Sequence, residues 1–234
     1  LQLTALLTGC VTGFRARARL QTLHRASAMI IGAFAVVHLA NHLASLGGVD
    51  AHIAFMNAAR RIYRQPVVEV LLLACVAFQI GSGSWVVMRG WKQRRGRVAW
   101  LQAASGLMLA LFLRVHVGAV LFGRAALGLD TNFHFAAAGF HVPPNQYFFA
   151  PYYFLAVVAL FVHPACALWW QAHLKAKHLK APLTLATLIA IPAVVGGVVG
   201  LLIVLSLAGR LQPVEIPAKY LEPYLSTLAA KEQR

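Results

Sequence analysis

Residues Ala26 to Leu46 read ASAMIIGAFAVVHLANHLASL, a run of 21 residues that contains no Asp, Glu, Lys or Arg. Crossing the hydrocarbon core of a bilayer, about 30 Å thick, takes about 20 predominantly apolar helical residues. The run therefore predicts a transmembrane helix. It also carries His38 and His42, and an ionisable side chain inside a membrane is costly enough to be a candidate for function.

The composition of the whole chain supports the same class. Of its 234 residues, 60% are apolar and 12% are charged, and the mean hydropathy is +0.69. A soluble domain has about 45–50% apolar and about 25% charged residues, so a soluble globular fold is excluded. Disordered, collagen-like and disulfide-scaffold proteins are excluded as well. The three cysteines have no metal-ligand spacing, and we interpret them as small apolar side chains.

Four further stretches have the length and apolar character of a membrane span. The five predicted spans are Ala26 to Leu46, Val67 to Met88, Val98 to Gly123, Tyr147 to Gln171, and Pro182 to Ala208. We therefore predict an all-α fold, an integral membrane bundle of five transmembrane helices. Residues 1–24 are predicted to be a cytoplasmic leader, 25–209 the membrane domain and 210–234 a short C-terminal interfacial tail.

The basic residues between the spans predict how the bundle is oriented, because short cytoplasmic loops carry an excess of Lys and Arg. Three clusters stand before span 1, between spans 2 and 3, and between spans 4 and 5: Arg15, Arg17, Arg19 and Arg25; Arg89, Lys92, Arg94, Arg95 and Arg97; Lys175, Lys177 and Lys180. Residues 125–146 contain neither Lys nor Arg. We predict a cytoplasmic N-terminus and an outer C-terminus, although Arg60, Arg61 and Arg64 oppose this orientation. The net charge of +15 then reflects topology and anionic lipid, not nucleic acid.

Histidines fall at two depths in the predicted bundle. At a rise of about 1.5 Å per residue, His38 lies about 20 Å and His116 about 27 Å from the inner face, so both are in the outer half. Gln79 and His163 lie about 20–24 Å from the outer face and share the inner half. The sequence thus predicts a His–His pair in the outer layer and a Gln–His pair in the inner layer.

Two imidazoles on facing helices at one depth are what a bis-histidine b-type haem needs. Gly32, Gly81 and Gly118 are small neighbours that would let a macrocycle lie between helices. Gln is a poor haem ligand, so Gln79 argues against a second haem with His163. In the alternative interpretation each histidine only bonds a neighbouring helix. A zinc site is disfavoured, because no carboxylate or cysteine stands near His38 and His42.

Three basic residues near these layers are further candidates. His24 and Arg25 open span 1 at the predicted cytoplasmic interface, where Arg25 is either an interfacial anchor or a partner for a haem propionate or a quinone carbonyl. Arg114 lies inside span 3, two residues before His116, where an unpaired charge costs at least about 2.5–3.5 kcal/mol. A propionate near a haem bound by His116 would offset that cost, and outward snorkelling would also reduce it.

Several short motifs resemble the single-chain cytochrome b subunit of succinate dehydrogenase/fumarate reductase, that is, of respiratory complex II. The residues that carry the resemblance are Leu23-His24-Arg25-Ala26-Ser27, His38-Leu39-Ala40-Asn41-His42, Pro66-Val67-Val68-Glu69-Val70-Leu71 with Gln79 and Gly83, Ser105-Gly106 with His116, and His163 with Trp169. The resemblance covers about residues 20–208. In the two-haem members each of the first four spans gives one haem-ligating histidine. Carried over, His38 and His116 hold the outer haem and His163 serves the inner one, whereas Gln79 stands where the pattern has His.

The resemblance implies a membrane-anchor subunit that passes electrons between flavoprotein and iron–sulfur partners on the cytoplasmic face and a membrane quinone, through haem b, in a bacterial-type inner membrane. The chain has no flavin or dinucleotide fingerprint, ferredoxin-type cysteines or P-loop, so substrate oxidation would occur on the partners. Two alternatives remain open. One is a stand-alone haem b cytochrome that reacts with quinone, and the other is a small transporter without haem.

Overall fold

The computed structural model describes the backbone of residues 2–175 and 186–232, and the side chains of 18–173 and 187–229. Every regular element in these ranges is a helix. The helices are α1 Gln2–Ala44, α2 Val49–Tyr63, α3 Pro66–Gly90, α4 Arg97–Ala125, α5 Phe133–Ala137, α6 Gln146–Lys175, α7 Ile191–Leu207 and α8 Ala218–Glu232. Short 3-10 turns follow α1 and α5, at Ser45–Gly47 and Ala138–Phe140, and a π-helical turn, Ala186–Ala190, precedes α7.

Within the described residues, five helices are long and apolar enough to cross a membrane, as the sequence predicts. They cover Ala18–Gly47, Pro66–Gly90, Arg97–Ala125, Gln146–His173 and Thr187–Leu207. Along the bundle α1 packs on α3, α3 on α4, α4 on α6 and α6 on α7. Many large apolar side chains on these helices are exposed, for example Met29, Val67 and Val194. Lipid is as apolar as these side chains, so a membrane bundle has no need to bury them.

The boundaries of the first and last spans differ from the prediction. Helix α1 runs without interruption from Gln2 to Ala44, so most of the predicted leader belongs to the same helix as span 1. Helix α7 begins at Ile191, nine residues after the predicted start at Pro182. Residues 182–185, Lys177, Lys180 and His178 lie outside the described residues. The sequence analysis did not predict the π-helical turn at Ala186–Ala190, which packs on α6 and α7.

The two ends of the bundle are built differently. One end, here the hairpin end, carries, among the described residues, the short connection between α3 and α4, residues 91–96. The other, here the cap end, carries α2, α5, the Ala138–Phe140 turn and α8. Its core is the buried set Phe133, Ala137, Phe140, Val157, Ile203 and Leu207. Residues 125–146 and the predicted interfacial tail therefore fold into a helical cap, in which Tyr220 of α8 is buried.

The arginines that oppose the predicted orientation have a structural task in this cap. Arg60 of α2 forms a 2.7 Å ion pair with Asp130 and donates to the carbonyl of Thr131. Arg64 donates to the hydroxyl of Thr131. Arg60 and Arg64 thus hold α2 against the loop that follows α4. Their positive charges therefore have a structural role and need not report the orientation of the bundle.

Close contact between α6 and α7 depends on two glycines one helical turn apart. A Cβ on Gly196 would lie 3.0 Å from the Cβ of Phe161, and one on Gly200 would lie 3.3 Å from the carbonyl oxygen of Phe154. Small residues at this spacing let membrane helices approach each other. Gly197, between them in sequence, faces open space, because a Cβ added there would meet no atom within 4 Å.

We predict that Gly196→Leu or Gly200→Leu destabilises the bundle by about 1–3 kcal/mol, because the added side chain must displace Phe161 or the α6 backbone. The measurement is the free energy of unfolding in mixed micelles. Gly197→Leu is the matched control and should leave stability nearly unchanged. Equal destabilisation by all three variants would contradict the packing explanation, because a side chain at position 197 has no neighbour on α6 to displace.

Candidate functional site

Four histidines cluster inside the cap end. The rings of His38 on α1 and His116 on α4 have centroids 6.0 Å apart, although the two helices are not sequence neighbours. His42 lies one turn beyond His38, with centroids 4.8 Å apart. His52 of α2 extends the cluster, 5.4 Å from His42. The structure therefore brings together the two histidines that the depth argument paired.

Aromatic rings hold the paired imidazoles on both sides. Phe34 stacks on His38 at 5.5 Å, and Phe112 stacks on His116 at 4.9 Å. Phe34 and Phe112 stand four residues before their histidines, one helical turn away on the same face. Tyr153 of α6 contacts His116 edge-on at 6.2 Å. Each ring is thus oriented by its own helix before any ligand is considered.

The nitrogens of His38 and His116 make no hydrogen bond with any residue whose side chain is described. A metal bonded to one nitrogen of each ring, at about 2 Å per bond, would place the ring centroids about 6 Å apart. The observed 6.0 Å separation is compatible with that value, and it is also an ordinary distance for two aromatic rings in edge contact. Within residues 18–173 and 187–229, no three His, Cys, Asp or Glu side chains converge on a metal site. Two imidazoles without further protein ligands suit a haem iron, which needs only axial ligands.

His52 is the member of the cluster that the sequence analysis missed. It is 2% exposed, and its Nδ1 is buried without a partner, as is Oδ1 of the neighbouring Asn41. Asn41 Nδ2 and His52 Nε2 are 3.2 Å apart. Burial lowers the pKa of His52 to about 4, and the nearby charges of His38, Arg60 and His134 act in the same direction. Its signal in the sequence is the helical spacing of His52 and Met56, the two buried residues of α2.

The inner-layer prediction is wrong in its pairing. The Gln79 amide donates to the hydroxyl of Ser27, 2.8 Å away, and to the carbonyl of His24, so it faces α1. His163 instead faces α4, with its Nδ1 3.0 Å from the carbonyl oxygen of Gln102. The two side chains lie at comparable depth but satisfy different neighbours. Depth along a helix follows from residue counting, whereas the direction in which a side chain faces depends on helix packing.

Gly118, Arg114 and Arg25, which the sequence analysis placed beside a haem, have positions that support this role less well than those of His38 and His116. Gly118 is two residues from His116, and at about 100° per residue it points to nearly the opposite side of α4. Arg114 is displaced by the same angle, and it is exposed. Arg25 is also exposed. Neither arginine forms an ion pair with a described residue. A role for either as an anion partner therefore stays a prediction.

The histidines outside the cluster differ in their contacts and exposure. His141 donates from Nε2 to the carbonyl of Leu207, 2.9 Å away. His134 stacks on Tyr220, and burial together with the charge of Lys219 lowers its pKa. His173 is exposed. Cys75 and Cys166 are buried and free, which confirms their interpretation as small apolar side chains.

Comparison with protein-family models, with curated proteins and with solved structures finds no match to this chain. The functional argument therefore depends on the geometry of the site and on the motifs in the sequence.

Proposed function

We propose that the chain is the membrane-anchor cytochrome b subunit of a succinate dehydrogenase/fumarate reductase-like complex. In this role it passes electrons between flavoprotein and iron–sulfur partners and a membrane quinone. The observation that carries the proposal is the pair His38 and His116. Their rings are 6.0 Å apart on separate membrane helices, and their nitrogens have no described protein partner.

The residues of the site have separate tasks in this proposal. His38 and His116 would hold the haem iron, and Phe34 and Phe112 stack on the two imidazole rings. A bound haem b supplies one-electron transfer inside the bilayer.

The hairpin end offers a surface for soluble partners. Its connection carries Lys92, Arg94 and Arg95, and Arg97 opens α4. Arg94 lies over the rings of Trp91 and Trp100, at 5.6 and 5.4 Å. An aromatic-backed cationic surface supports docking of a partner with an acidic face, and it equally suits lipid headgroups.

We predict that the double variant Lys92→Glu with Arg97→Glu lowers the recovery of partner subunits about tenfold, because charge reversal on a docking face opposes association. Both side chains are exposed. The measurement is flavin and non-haem iron per chain after mild detergent extraction. Arg61→Glu, an exposed cation at the cap end, is the matched control and should leave both unchanged. A wild-type chain that extracts without flavin would favour the stand-alone cytochrome.

A dithionite-reduced minus oxidised spectrum of the purified chain, with haem quantified as the pyridine haemochrome, tests the proposal directly. We expect a b-type spectrum with at least one haem per chain. A flat spectrum from protein produced with ample haem would refute the cytochrome assignment and leave the haem-free transporter as the alternative.

A further inference from the structure

Arg94, in the connection between α3 and α4, has a charged side chain whose hydrogen bonds are incomplete. Its guanidinium group lies over the rings of Trp91 and Trp100, and these two rings contact each other edge-on with centroids 5.0 Å apart. The Nη1 atom of Arg94 is buried and has no hydrogen-bond partner among the described residues. A buried charged donor without a partner is costly, so this arrangement favours an acceptor that binds from outside the chain.

A surface groove of about 430 Å³ shares the Trp91 side chain with this stack. The residues that line the groove are Met88, Arg89, Trp91, Lys92 and Gln93. Arg89 lies over the ring of Trp85, 4.8 Å from its centroid, and forms no ion pair with a described residue. Two aromatic-backed guanidinium groups thus lie at a groove whose wall is partly apolar.

The N-terminus of α4 adds backbone donors beside the same stack. Helix α4 begins at Arg97, directly after the connection, and no side chain caps it. The residue before it is Gly96, which has a φ of +81° and no side chain that could accept a hydrogen bond. Free amide groups at the N-terminus of a helix attract anions. Trp100, on the first turn of α4, belongs to the Arg94 stack, so these donors and the guanidinium group are close neighbours.

The chain supplies no carboxylate to this region. All six acidic residues of the sequence lie on or beside the helices of the cap end: Asp50, Glu69, Asp130, Glu215, Glu222 and Glu232. Between residues 85 and 100 the charged residues are Arg89, Lys92, Arg94, Arg95 and Arg97. Arg95 donates to the carbonyls of Lys92 and Arg94, so it stabilises the connection itself. Negative charge for Arg89 and Arg94 must therefore come from outside the chain.

The position of the groove favours a lipid headgroup over a soluble anion. It lies where two membrane-length helices end and begin, at Gly90 and Arg97, and tryptophan is enriched at this level of membrane proteins. Met88 lines the groove and is 75% exposed, and Val86 on the preceding part of α3 is also exposed. An acyl chain would cover these side chains, whereas a free phosphate ion gains nothing from an apolar wall.

We propose that the groove is a binding site for an anionic phospholipid. The lipid phosphate pairs with Arg89 and Arg94, and an acyl chain packs on Met88 and the exposed apolar face of α3. The site requires only that the chain spans a membrane, so it does not depend on haem. Lys92, Arg95 and Arg97 stay available to the soluble partners of the proposed function.

The test is binding of phospholipids with brominated acyl chains to the full chain in detergent micelles, measured as quenching of tryptophan fluorescence. We expect phosphatidylglycerol, which is anionic, to bind more tightly than phosphatidylcholine, which has no net charge. Arg89→Gln and Arg94→Gln should each weaken phosphatidylglycerol binding about fivefold. Trp100→Leu keeps every charge but removes a ring from under Arg94, and it should weaken binding about two- to fivefold.

Arg61→Gln is the matched control, since it removes one exposed cation at the cap end and should leave phosphatidylglycerol binding unchanged. Thermal unfolding of each variant is measured alongside, and Arg89→Gln tests the site even if Arg94→Gln does not fold. Equal affinity of the wild type for both lipids, or an equal loss in Arg61→Gln and Arg94→Gln, would overturn the proposal.

Two further outcomes would assign the groove to another ligand and so overturn the lipid site. Displacement of phosphatidylglycerol by inorganic phosphate would indicate a soluble anion. Unchanged lipid binding in Arg94→Gln, together with a lower recovery of flavin and non-haem iron, would indicate a protein partner. None of these results changes the haem spectrum, so failure of the lipid site and failure of the proposed function are distinguishable.

Discussion

His38→Ala and His116→Ala are each expected to remove the outer haem from the purified protein. Each variant takes away one of the two imidazoles of the pair. Changing a residue that only supports a metal ligand costs about 10–100-fold in affinity, so loss of the ligand itself should cost more. The measurement is haem per chain from the pyridine haemochrome, compared with wild type.

His42→Ala is the matched control for this prediction. His42 is on the same helix and contacts His38, but its other ring contact is His52 of α2 and not His116. It should therefore retain the outer haem. Full haem content in both His38→Ala and His116→Ala would contradict the assignment of the pair, and loss in His42→Ala alone would move the ligand one turn along α1.

Acidification is expected to destabilise the cap end through His52. Its pKa in the folded protein is about 4, below the ordinary value of 6.5, because the ring is buried. Between pH 4 and pH 6.5 the unfolded chain therefore binds more protons than the folded chain. The contribution of neutral His52 to the free energy of unfolding is fully present above pH 6.5 and is lost as the pH falls toward 4. Between pH 7.5 and pH 5.0 the loss amounts to about 2 kcal/mol.

The measurement is the free energy of unfolding in mixed micelles at the two pH values, for wild type and for His52→Phe. The variant keeps a ring against Phe133 and His42 but cannot titrate, so its pH dependence should be smaller by about 2 kcal/mol. His173→Ala, an exposed site, should behave as wild type. An identical pH dependence in His52→Phe would exclude His52 as the titrating group.

The membrane class, the number of spans and the depth of each histidine follow from the sequence, because each is a property of one continuous segment. Apolar run length gives the span, and a fixed rise per residue gives the depth. This is why the proximity of His38 and His116 could be predicted before their helices were placed. The orientation of the bundle in the membrane stays a prediction, since it rests on the distribution of Lys and Arg alone.

Tertiary structure alone decided which side chains face each other across the bundle. Gln79 turned toward α1 and His163 toward α4, although residue counting had paired them, and His52 reached the cluster only because α2 folds over the cap end. The rotation of a helix about its axis is fixed by packing between segments far apart in the chain. The sequence of one segment does not determine this rotation, whereas it does determine the length and hydropathy of a span and the depth of each residue along it.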